Sequence, residues 1–166
     1  MSLAERKMRR TDKEVRDRAW MDDVLGRGQF ISVALSTLDG EPYVVPMGYG
    51  YEGGVIYLHG AKSGLKNDLM AENPRVSFNV CVDVEVFRHE TTGSKFSVKY
   101  RSVTGFGTIS EVNGLALKNR ALAAIMRQYD GPHDDLTERN EDRVWIGRID
   151  ILGMKGKESG HRHAAD

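Results

Sequence analysis

Residues 29–60 read QFISVALSTLDGEPYVVPMGYGYEGGVIYLHG, and this stretch constrains the fold more than any other. Ile31, Val33 and Leu35 alternate with Ser32, Ala34 and Ser36, the period of a strand with one buried face. Asp39-Gly40 interrupts the run with the residues a two-residue type I′ turn takes, because both central positions need positive φ. Glu52-Gly53-Gly54 marks a second turn. The pattern predicts three antiparallel strands in a meander.

The flanking segments supply helices and longer strands. Thr11 with Glu14 has the form of a capping box, and Val15, Ala19, Val24 and Leu25 recur at roughly helical spacing, which predicts a helix over 12–25. It should end near Gly26 and Gly28. KSGLKNDLMAENP reads as a short helix over 63–72, stopped by Asn73-Pro74. RVSFNVCVDVEVF is a long strand, RHETTGSK a loop, and FSVKYRSVTGFGTISEV a strand pair or one long bent strand. Leu115, Leu122, Ile125 and Met126 share one face of a third helix, and RVWIGRIDILGMKGK is the last strand. The sum is a mainly β fold with helices (α+β). Six or seven antiparallel strands closing into a full or partial barrel fit this order better than a doubly wound sheet. The expected organisation is a flexible arm over 1–10, one domain over 11–157 and a disordered tail over 158–166.

Charge narrows the partners. Lysine plus arginine and aspartate plus glutamate number 24 each, so no global field draws the chain to nucleic acid. No apolar run reaches the roughly 20 residues of a membrane helix, and the N-terminal segment lacks the apolar core of a signal peptide. Cys81 is the single cysteine, which fits a reducing compartment; a cytoplasmic protein is expected. Cys81 itself reads as a small buried hydrophobe in mid-strand. His161, His163 and Asp166 fall in the tail, and no metal site is expected. No Ser-His-Asp set or carboxylate pair is evident, so no catalytic residue is assigned.

One segment carries chemistry. In VIYLHGAKSGLKNDL a strand ends at His59, a turn of small residues follows, and a helix opens with Lys66 in its first turn. Amides at a helix start lack intrahelical acceptors, and the helix dipole favours negative charge there. Gly60, Ala61 and Gly64 let an anion approach the backbone, and Lys66, with Lys62 nearby, adds full charge. A phosphate monoester suits such a turn. The spacing is neither that of a Walker loop nor that of a dinucleotide-binding fingerprint.

The motif order over about residues 8–157 resembles the pyridoxamine-phosphate-oxidase-like FMN-binding split barrels, nearest the nitroimidazole-resistance branch. The matching positions are Gly40, Pro42, Tyr43 and Pro46, then His59, Ala61, Gly64 and Lys66, then Asn73, Pro74 and Val76. The YRSV strand and Gly156-Lys157 match as well. The resemblance implies a split β-barrel that binds FMN as a homodimer, with the flavin at the subunit interface. It implies that Leu58, His59, Gly60, Ala61, Gly64 and Lys66 hold the phosphate, completed by Arg101 and Ser102. The strand through Val44, Val45, Pro46 and Met47 would run along the isoalloxazine, and Trp145 or a tyrosine would approach it from the partner. Gly48 departs from the serine or asparagine of many relatives, which leaves only backbone contact there.

The activity so implied is reduction of a small acceptor, a nitroaromatic or quinone, with electrons from a nicotinamide donor. A non-catalytic FMN- or haem-binding or sensing protein is the alternative. A pyridoxamine-phosphate oxidase proper ranks lower, because only Arg148 offers charge for a substrate phosphate near the C-terminus.

Overall fold

The computed structural model describes residues 6–160. Along them run β1 (Glu14–Val15), α1 (Arg18–Arg27), β2 (Ile31–Ser36), β3 (Pro42–Met47), β4 (Tyr49–Glu52), β5 (Val55–Gly60) and α2 (Leu65–Glu72). β6 (Arg75–Phe87), β7 (Ser97–Glu111), α3 (Leu115–Gln128) and β8 (Trp145–Ser159) follow. Seven strands form one antiparallel path in the order β3-β2-β6-β7-β8-β5-β4, and β1 adds to β8. This is the expected split barrel.

The expected meander is corrected at Gly48. β2 pairs with β3 and β4 with β5, but β3 and β4 lie at opposite ends of the path. Met47-Gly48-Tyr49 therefore joins the two edges of the sheet and curls it into a barrel with a split. The turns differ from expectation too. Gly40 alone is left-handed in its turn (φ +93°), with its N–H donating to the Thr37 carbonyl at 3.1 Å, so Asp39-Gly40 is not a type I′ pair. That geometry belongs to Gly53 and Gly54, at φ +59° and +83° between the facing residues Glu52 and Val55.

The first helix begins later than the capping pattern predicts. Thr11–Lys13 is a 3-10 turn, and Glu14 and Val15 pair with Lys157 and Gly156 of β8. The Glu14 carboxylate accepts from Arg16 at 2.8 Å. The working cap is Asp17, whose carboxylate accepts the Ala19 N–H at 2.9 Å. Ladder bonds to β8 outweigh the local helical preference, and Gly156 permits them, since a Cβ there would lie 2.8 Å from the Val15 carbonyl oxygen.

Ile31, Val33, Ile56, Leu58, Phe78 and Val103 fill the barrel, and Val24 and Leu25 of α1 close onto it. A second core lies outside the sheet, where Ala121, Ala124 and Ile125 of α3 cover Tyr57, Val112 and Ile146. The buried face of α3 is thus smaller than the expected Leu115, Leu122, Ile125, Met126 face. The cause is close approach: a Cβ on Gly50 would lie 2.4 Å from the Ile125 amide nitrogen.

β6 and β7 form a long hairpin with a register shift between Val82 and Glu85, where Asp83 is left-handed at φ +54°. β8 continues through Ser159, so Glu158 and Ser159 belong to the sheet and are buried, not part of a disordered tail. Residues 1–5 of the expected arm, and 161–166 with His161, His163 and Asp166, lie outside the described residues. Among the described residues no helix is long and apolar enough to cross a membrane, and no group of three metal-ligating side chains occurs.

Candidate functional site

The turn from β5 to α2 leaves the start of the helix open. Gly64, the residue before α2, sits at φ +121° and offers no side-chain cap, so the helix starts bare. Its carbonyl accepts from Asn67 and Asp68 at 2.8 and 3.2 Å, while the Leu65 and Lys66 amides have no intrahelical acceptor. The Lys66 side chain folds back over Gly60, where a Cβ would lie 3.3 Å from Cε and Nζ. Lys66 has no carboxylate partner among the described residues, whereas Lys62 meets Asp142 at 3.6 Å. Asn67 ties the turn to the helix by donating to the Ala61 carbonyl at 3.1 Å; its own amide oxygen is buried and unpartnered.

His59 and Gly48 bring β3 to this turn. Tyr49 faces Leu58 across the β4–β5 ladder, so Gly48 and His59 are the next residues on either side. Both are exposed. Val44 and Pro46 point outward from β3 while Val45 and Met47 point toward the core, and β3 pairs only with β2, leaving its other backbone edge open. Leu58 is fully buried in the barrel, so only its backbone faces the turn.

Two aromatic residues join this surface that the sequence reading did not single out. Phe30 is exposed and sits next to Ile31, which faces Met47. Tyr129, at the end of α3, donates its hydroxyl to the Gln29 carbonyl at 2.9 Å and accepts the Tyr49 N–H at 2.9 Å. A Cβ on Gly48 would lie 3.3 Å from that hydroxyl, so glycine here makes room for the tyrosine. Phe30 had a signal: it falls on the polar phase of the alternation with Ser32, Ala34 and Ser36, where a large apolar side chain is out of place.

The other expected residues fall elsewhere. Trp145 is 7 % exposed within its own barrel, faces Gly60 across the β5–β8 ladder, and lies flat against Gly147, where a Cβ would clash with the indole at 2.4 Å. It walls a cavity of about 280 Å³ with Asn67 and Met70 of α2. Arg101 and Ser102 lie away from the α2 turn of their own chain. They are nine and eight residues along β7 from Ser110, which lines that cavity, or about 26–30 Å of strand. They also point to opposite faces of the sheet, as successive strand residues must. Arg101 donates from Nε to Glu158 at 2.9 Å and from Nη1 to Asp83 at 3.1 Å. Arg27 grips the same Asp83 with two donors at 2.9 and 3.1 Å, and these bonds, the Arg27 pair foremost, hold the Asp83 carboxyl below its ordinary range.

Residues 17–159 match the family described as pyridoxamine 5'-phosphate oxidase, and the chain belongs to it. No curated protein matches. Three of the solved structures that share the fold illustrate the likeness. A candidate 5-nitroimidazole antibiotic resistance protein from Bacteroides thetaiotaomicron aligns at 23 % identity and TM-score 0.77, over 87 % of this chain and 86 % of that one. An FAD- and haem-binding protein from Mycobacterium smegmatis aligns at 23 % and 0.78, over 89 % and 74 %. The flavocytochrome Anf3 from Azotobacter vinelandii aligns at 16 % and 0.79, over 99 % and 78 %.

Proposed function

We propose that this chain is an FMN-binding oxidoreductase, working in the cytoplasm as a homodimer. The observation that carries the reading is the bare start of α2, with Lys66 over Gly60 and no carboxylate partner for it among the described residues. The residues fit a flavin mononucleotide: the amides of Leu65 and Lys66 and the Lys66 ammonium hold its phosphate. The open edge of β3 and the surface of Pro46, Gly48, Phe30 and Tyr129 take the ring. Bound flavin supplies two-electron transfer, from a nicotinamide donor to a nitroaromatic or quinone-like acceptor. The chain's own part is to fix the phosphate and keep one ring face against apolar side chains. His59 stands exposed beside Gly48, placed to hold a proton near the acceptor.

A second copy gives the dimer its purpose. Beyond the Asp83 bulge the β6–β7 ribbon exposes Val84, Val86, Phe87, Phe96 and Val98. A two-stranded ribbon carrying this much exposed apolar surface is marginal in water, and a partner chain would cover it. The pyridoxamine-phosphate oxidase reading is disfavoured, since Arg148 is already paired with Asp150 at 2.6 Å.

The purified protein should be yellow and release FMN on denaturation, identified by chromatography against FAD and the deazaflavin F420. Anaerobic NADH or NADPH should bleach it, and light scattering should give twice the chain mass. A Soret band in place of flavin would favour the haem-binding alternative that the flavocytochrome neighbours raise. A colourless protein that takes up no added FMN ends the reading.

A further inference from the structure

A cavity of about 610 Å³ lies between the β2–β3 turn and the strands β6, β7 and β8. Asn73, the residue after α2, lines it, so it sits at the opposite end of that helix from the bare start. Its volume is that of a small-molecule site, in which apolar walls take the body of a ligand and a few polar groups fix its orientation.

The walls carry an unusual amount of exposed apolar surface. Leu38 in the β2–β3 turn and Leu152 on β8 are 73 % and 72 % exposed, more than any other large apolar side chain described, and both line this cavity with Phe106. Leu152 is placed there by a β-bulge. Phe106 faces Gly153 and Gly107 faces Ile151, so Leu152 is the extra residue on β8. Bulges re-aim side chains, and this one presents a leucine at the cavity. Leu38 is held in place as well, since its N–H donates to the Glu72 carboxylate at 2.9 Å.

Arg75, the first residue of β6, supplies the charge. It lines the cavity, is exposed, and has no carboxylate partner among the described residues. The small polar groups around it are already engaged. Asn73 accepts the Arg75 N–H at 3.2 Å and donates to the Ser36 hydroxyl at 3.1 Å, and the Ser77 hydroxyl donates to the Gly105 carbonyl at 3.0 Å. No carboxylate lines the cavity, Glu72 included. The forked donors of one guanidinium are left for a ligand, and they match a carboxylate in shape and charge.

We propose that this cavity binds an organic carboxylate with an apolar body. The carboxylate pairs with Arg75, and the body lies against Leu38, Phe106 and Leu152. A single positive charge among apolar walls suits a singly charged head on a large apolar group. This site stands whether or not the α2 turn carries flavin.

The probe is 4-phenylbutyrate, titrated calorimetrically at fixed ionic strength into the full-length protein. Binding is expected, and Arg75→Gln should weaken it about tenfold, the scale of a lost hydrogen bond to a charged group. Leu152→Ser should weaken it severalfold through the apolar wall. The neutral analogue 4-phenylbutan-1-ol should bind about tenfold more weakly than the acid and respond little to Arg75→Gln, which also shows that the variant's cavity is intact. Lys66→Ala should leave the acid's affinity unchanged, separating this cavity from the α2 turn. Equal affinity with arginine or glutamine at position 75 overturns the proposal, as does an alcohol that binds as tightly as the acid. Absence of binding overturns it too; if Leu152→Ser then also shifts the mass in light scattering toward one chain, the cavity belongs to a contact with a second copy.

Discussion

Two cations that the sequence presents as equals end in opposite circumstances. Lys66 stands over Gly60 at a bare helix start with no carboxylate partner among the described residues. Arg101 lies between Glu158 and Asp83, and Asp83 is gripped again by Arg27. A cation whose charge is already matched has little to offer a ligand, and removing it costs its acids a bond each. A cation held without an acid keeps its charge for whatever arrives. The first arrangement fixes the fold, here the bulge where the β6–β7 ribbon leaves the barrel. The second leaves charge available to a ligand.

The sharpest way to break this contrast is Arg101→Ala. It removes the 2.9 Å bond from Arg101 Nε to Glu158, whose side chain is 9 % exposed. We expect a loss of about 2–3 kcal/mol, a fall in Tm of roughly 4–10 °C by calorimetry. FMN retained per folded chain should be unchanged; loss of flavin with Tm intact would reverse the roles assigned to the two cations. Lys66→Ala should do the opposite, weakening FMN by about 1–3 kcal/mol in a fluorescence titration while Tm of the flavin-free protein stays put. Unchanged affinity would mean the phosphate lies elsewhere.

Gly60→Ala sharpens the same point more gently. Its Cβ would press on Cε and Nζ of Lys66 at 3.3 Å and shift the ammonium by a few tenths of an ångström. FMN affinity should fall severalfold, about 0.5–1 kcal/mol, with little change in stability. The smallest effect is in acid. The Asp83 carboxyl is held below its ordinary value of 3.8, so the folded state binds its proton more weakly than the unfolded chain. The stabilisation is complete above that value and is lost as pH falls through the lower folded value. Asp83→Asn should therefore flatten the acid limb of a Tm–pH profile below about pH 4 and leave the neutral limb parallel to wild type; an unchanged acid limb would show that Asp83 titrates normally.

Much of the fold was legible because strand alternation and helix stops are local. β2, β5, β6 and α2 fall where period and punctuation put them. The first helix was misread because Thr11 and Glu14 satisfy a local capping rule while Glu14 and Val15 gain more from pairing with residues more than 140 positions away. The meander was misread because nothing in Met47-Gly48-Tyr49 says that its two sides belong to opposite edges. Arg101 and Ser102 are adjacent on a strand, so the divergence of their side chains was legible from the sequence alone.

What the sequence determined by itself is the α2 cradle, since every part of it lies within residues 59–68 and follows from glycine conformation, helix-end amides and one lysine. Two juxtapositions were decided only by tertiary structure. Phe30, Gly48 and Tyr129 meet through packing of α3 on the sheet, and Arg101, Asp83 and Glu158 through ladder register. Neither spacing is written in the chain, because contacts between distant segments are set by which faces bury together and not by the identity of neighbours.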